Sequence, residues 1–158
     1  MRLFSLAWWG VVLLAECSGQ PALPEDDKPP AGPGRFTHSA FHKTIAPWDG
    51  AAVQLHLAEK PMARRAPVVP YLSVRIYRAS IDLSKQKVRL EGKESRRGHA
   101  RWVPREGEVA PLSWVEISFE EINEGKSVKG TYEVAFPDGK RERGRFEAVW
   151  WPSEGPGG

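Results

Sequence analysis

The chain has 158 residues, with 23 Lys and Arg against 20 Asp and Glu, a formal net charge of +3 at pH 7 and one cysteine. A lone cysteine excludes an intrachain disulfide framework and a cysteine-built zinc site. The basic residues are interleaved with acidic ones, as in Lys140-Arg141-Glu142-Arg143. Such mixing reads as a solvated surface and not as the single-sign stripe that nucleic acid requires, so no nucleic-acid partner is expected.

Arg2 is the only charge ahead of an apolar run from Leu3 to Ala15. A membrane-spanning helix needs roughly 20 apolar residues. This run is shorter and has the form of a signal peptide, assigned to residues 1–17. Leu14-Ala15-Glu16-Cys17 resembles the bacterial lipobox, with Glu16 standing where that motif carries a small residue. The resemblance implies lipidation of Cys17 and a membrane anchor in the periplasm or at the outer membrane. Ordinary cleavage at a small-x-small site, for instance after Gly19 in Cys17-Ser18-Gly19, would instead release a secreted chain. Residues 18–34 are rich in Pro and Gly and carry acids, a composition that builds a disordered tether and no core.

From residue 35 the apolar residues recur with the period of a strand. Arg35–His42 is a weak candidate. Val53, Leu55 and Leu57 alternate with polar neighbours, as do Leu72, Val74 and Ile76. Val88 and Leu90 follow, then the weaker Ala100–Val103, then Val115, Ile117 and Phe119. The series closes with Val128, Tyr132, Val134 and Phe136, and with Phe146, Ala148 and Trp150. Turn signals separate them at Trp48-Asp49-Gly50, Pro104 to Gly107, Asn123-Glu124-Gly125 and Pro137-Asp138-Gly139. The expected fold is all-β: one antiparallel β-sandwich or open barrel of about seven or eight strands, spanning residues 35–152, with 153–158 as a loose tail.

The last hairpin can be set by parity. A two-residue Asp-Gly turn would place Val134 opposite Arg143, a core residue beside a solvated one. A three-residue loop, with Gly139 left-handed after a type I turn, pairs Phe136 with Lys140, Tyr132 with Gly144 and Gly130 with Phe146. Even positions then share one face, while Glu133 meets Arg143 and Lys129 meets Glu147 on the other. Glu59 to Pro70, with Pro61, Pro67 and Pro70 beside Arg64 and Arg65, is longer than an ordinary strand connection, and is either mobile or a partner-contacting loop.

No phosphate loop, nucleophile elbow or HExxH motif occurs, and the folded part holds no thiol. Neither enzymatic activity nor a cofactor is expected. His38-Ser39-Ala40-Phe41-His42 places two imidazoles four apart, and with His56 they form a candidate metal set. Glu120-Glu121 with Asp82 could suit glycoside chemistry, though Glu120 falls on a polar strand face. Trp102, Trp114 and Trp151 are candidates for an exposed platform on which a sugar ring stacks.

Gly130-Thr131-Tyr132-Glu133-Val134, Asp138-Gly139, Gly144-Arg145-Phe146-Glu147 and Trp150 together resemble the closing hairpin of small exported bacterial β-sandwich proteins. That resemblance implies a fold and no activity. The expected function is a non-enzymatic exported or membrane-tethered module that binds a protein or envelope component. The alternatives are a carbohydrate-binding module using exposed Trp, and a small His-based metal protein.

Overall fold

The computed structural model describes residues 30–32, 34–47, 50–63, 67–77 and 82–152. Cys17, the tether up to residue 29, Trp48-Asp49, Arg64-Arg65 and the tail 153–158 lie outside them. Among the described residues every regular element is a strand: β1 His38–Ile45, β2 Ala51–Ala58, β3 Tyr71–Tyr77, β4 Lys87–Glu91, β5 Gly98–Arg105, β6 Glu108–Ala110, β7 Trp114–Asn123, β8 Ser127–Ala135 and β9 Arg141–Trp150. All nine join one sheet in the order β4-β7-β8-β9-β1-β2-β3-β5-β6. The sheet curls into a half-barrel, and β4 comes back against β5.

The alternation that marks each strand also explains the curl. Leu55, Leu57, Leu72 and Val74 from one half meet Val115, Ile117, Val128 and Val134 from the other in a single buried cluster. One apolar face per strand, rolled inward, removes this surface from water at roughly 25 cal/mol per Å2. Phe36, just before β1, and Phe41 on β1 are almost fully buried within it.

The β8–β9 hairpin has the register that parity demanded. Phe136 N–H bonds Lys140 O at 2.9 Å, Tyr132 faces Gly144, and Gly130 faces Phe146. Gly139 has φ of 84°, the left-handed conformation that a side chain disfavours. On the outer side Lys129 reaches Glu147 at 3.7 Å, while Glu133 meets Arg141 at 3.4 Å, one step along from its directly opposed partner Arg143. Gly130 lies between Phe119 on β7 and Phe146 on β9, and an added Cβ would stand 2.2 Å from Ser118 O and 2.8 Å from the Phe146 ring. The site needs glycine because the Phe146 ring and a neighbouring backbone already fill it.

One pair departs from an all-antiparallel sheet. β1 and β9 run parallel, with Ala40 opposite Val149 and Phe41 opposite Trp150. The sheet is two meanders, β1-β2-β3 and β7-β8-β9, joined along the edges that their first and last strands leave open. β8 fixes the direction of β9, and that direction matches β1. The join delivers Trp151, whose N–H bonds Phe41 O at 2.7 Å, onto the outer surface of the first meander.

Candidate functional site

The outer surface differs between the two halves of the sheet. Over β4 and β7 to β9 it is a ladder of matched charges, with Lys87 and Glu116 at 3.0 Å and Arg145 and Glu120 at 2.5 Å. Glu121 is engaged with Asn123 at 2.8 Å and Lys129 at 3.6 Å, its carboxyl held below the usual range by Asn123 and then Lys129. Asp82 accepts the Ser84 N–H at 2.9 Å in a turn. These acids are committed to local partners and do not flank a common cleft.

Over β1, β2, β3 and β5 the outer surface is instead a half-open cavity of about 540 Å3. Register builds its floor. One cross-strand row reads His42, Gln54, Arg75, His99, and the next reads Ala40, His56, Ser73, Arg101. In both rows the alternation turns polar side chains away from the core. They would normally be solvated. Here Trp151 and Pro152 from the end of β9, Pro67 from the Glu59–Pro70 loop and Val109 from β6 wall them in. His56, Ser73 and His99 are thereby buried, at 7%, 7% and 9% exposure.

Part of the floor is tied together. Gln54 Nε2 donates to Ser73 Oγ at 2.7 Å, and Arg75 donates through Nη2 and Nε to Gln54 Oε1 at 2.6 and 3.0 Å. At the far end the Tyr77 hydroxyl donates to Glu94 at 2.9 Å and lies 2.9 Å from His99 Nδ1. Since that hydroxyl has one proton to give and directs it to Glu94, the His99 Nδ1–H is the donor to it. Burial, and then Arg101, hold the His99 pKa below the ordinary value.

The near end is aromatic. The rings of His42 and His56 stack 5.6 Å apart, and Trp151 stands 6.1 Å from the first and 6.0 Å from the second. Tyr71 meets His56 edge-on at 6.0 Å. His56 Nδ1 is buried and has no hydrogen-bond partner among the described residues. Burial, then His42, then Arg75 press the His56 pKa down to about 4, so its imidazole is neutral at pH 7.

No protein-family model matches this chain, and neither a curated protein nor a solved structure does. The site must speak for itself.

The structure brings together only some of the residues that the sequence singled out. His42 and His56 converge, but His38 does not join them, and its Nδ1 lies 3.0 Å from Thr37 Oγ1. Residues four apart on a strand are separated by about 13 Å at 3.3 Å per residue, too far to share an ion. No group of three metal-ligating side chains exists among the described residues.

The Trp platform also dissolves. Trp102 is opposite Leu72 on the inward face, where it packs on Phe36 at 5.8 Å and Phe136 at 6.2 Å. Trp114 lies on the opposite half of the sheet under the Arg89 guanidinium, 4.0 Å from its ring. Trp151 alone of the three lines the cavity. Sequence reasoning passed over Tyr71, Arg75, His99 and Arg101. Each occupies a polar or terminal position of an alternating strand, and only the cross-strand register shows that they are neighbours.

Proposed function

We propose that this chain is a non-enzymatic exported module, tethered to a bacterial membrane through lipid on Cys17, that captures an envelope component in the outer-face cavity. The observation that carries the binding part is His56. A buried imidazole nitrogen without a partner costs on the order of 1–3 kcal/mol, and its residue lines a cavity of ligand size. A ligand group that bonds it would recover that cost.

The same geometry supports binding over catalysis. Ser73 stands directly across from His56, yet its hydroxyl is engaged by Gln54. An imidazole with a pKa of about 4 is a poor general base at pH 7. The run Leu3–Ala15 and the lone Cys17 support the export and tether.

Anchor and cavity can be tested separately by sedimentation with isolated bacterial envelopes. A Cys17→Ser chain lacks the lipid, so its retention reports the cavity. Retention should persist in Cys17→Ser and fall at least about fivefold when Trp151→Ala is added, as for removal of an aromatic anchor. Equal retention with and without Trp151, or none in Cys17→Ser, overturns the binding role. An intact mass for the mature chain without lipid on Cys17 overturns the tether.

A further inference from the structure

The charge of the cavity indicates what its occupant carries. Arg75 on β3 and Arg101 on β5 both line it, and register makes them diagonal neighbours, since Arg75 faces His99 and Arg101 lies two residues on. Such diagonals lie about 7–8 Å apart, a span that one anionic group can bridge between two guanidiniums. Arg75 is held by the neutral amide of Gln54. Neither arginine forms an ion pair with a described carboxylate. On the other half of the sheet several such charges are matched, as Arg145 is by Glu120 and Arg141 by Glu133. Glu108 on the short edge strand β6 is the only acid among the described lining residues; it is exposed, as is Arg101, while Arg75 is half-buried.

The near end of the remaining wall is aromatic. Trp151 and Tyr71 flank the His42–His56 pair. The positive field of the arginines also disfavours a cation, which sets the site apart from a metal centre.

We propose that the cavity takes a small organic anion, with a carboxylate or phosphate head between Arg75 and Arg101 and a flat ring-shaped body against Trp151 and Tyr71. This rests on the reading of the cavity as the binding site. The neutral His56 then serves as a positioning residue for an uncharged polar atom of the body.

The test is an NMR titration of the full 15N-labelled chain, followed at the Trp151 indole N–H. The probes are benzoate, phenyl phosphate and benzyl alcohol, which share a ring and differ in the head. At least one of the two anions should shift the resonance saturably at millimolar concentration, and the tighter one identifies the head as carboxylate or phosphate. Arg101→Gln should weaken that binding about tenfold or more, the size of a lost charge-assisted hydrogen bond. Arg101→Lys should recover part of it, and Arg145→Gln on the other half of the sheet should leave it unchanged. Thermal midpoints measured for each variant separate lost binding from lost fold. Benzyl alcohol binding as tightly as both anions, or Arg101→Gln without effect, overturns the anion while leaving the cavity as a binding site. No saturable shift with any probe also overturns it, and the wider binding role then stands or falls on the envelope sedimentation of the Trp151→Ala chain.

Discussion

Acidification should destabilise the domain through His56, by an amount that the structure sets. Its pKa falls from 6.5 in the unfolded chain to about 4 in the fold, chiefly through burial and then through His42 on β1 and Arg75 on β3. Between these values the unfolded chain binds the proton and the folded one does not. Stability is therefore complete above the unfolded pKa, is lost as pH falls from 6.5 towards 4, and levels off below that. At 1.36 kcal/mol per pKa unit the full loss is about 3 kcal/mol, of which about 2 kcal/mol has gone by pH 5. Burial and Arg101 shift His99 in the same direction, which adds to the loss.

Urea unfolding followed by Trp fluorescence at pH 7, 6, 5 and 4 measures it, with His56→Phe as the reference. Carboxylates that titrate in this range are common to both proteins and cancel in the difference. The wild type should lose about 2 kcal/mol more than His56→Phe between pH 7 and pH 5. Parallel profiles for the two would refute the claim that His56 is buried uncharged among positive neighbours.

Other perturbations probe the frame. Gly130→Ala should cost about 2–3 kcal/mol, because the new Cβ meets the Ser118 carbonyl at 2.2 Å and a backbone atom cannot swing aside; calorimetry should show a midpoint roughly 10 °C lower, and a drop under about 2 °C would contradict the close packing. Leu57→Ala, at 0% exposure in the core, should cost about 3 kcal/mol in denaturant unfolding. Arg145→Ala breaks the pair with Glu120, both side chains being more than 40% exposed, and should shift stability by no more than about 0.5 kcal/mol in the same assay; a larger loss would mean that the outer ladder is structural.

Period-two alternation by itself determined that the fold is all-β, which residues face the core, and the register of the β8–β9 hairpin. Each of these follows from near neighbours in the chain. Val128, Tyr132 and Phe146 can share a face in only one pairing, and Pro137-Asp138-Gly139 admits a turn of that length. The number of strands was nearly legible too, since β6 is a three-residue edge that leaves little signature.

The site was not legible, because it depends on which strands lie side by side and what covers them. His42 and His56 looked like metal ligands with His38, yet strand rise carries His38 away while the β1–β2 pairing stacks the other two. Trp102, Trp114 and Trp151 looked alike in sequence. Register sends the first into the core, the second under Arg89, and the parallel join of β9 to β1 sends the third across a row of polar side chains. Arg75, His99 and Arg101 carried no signal beyond being polar positions on strands. Alternation tells a residue which way to face, but only the curled sheet, with Trp151 and Pro67 against its outer side and Val109 at the rim, decides that facing outward here means facing into a cavity.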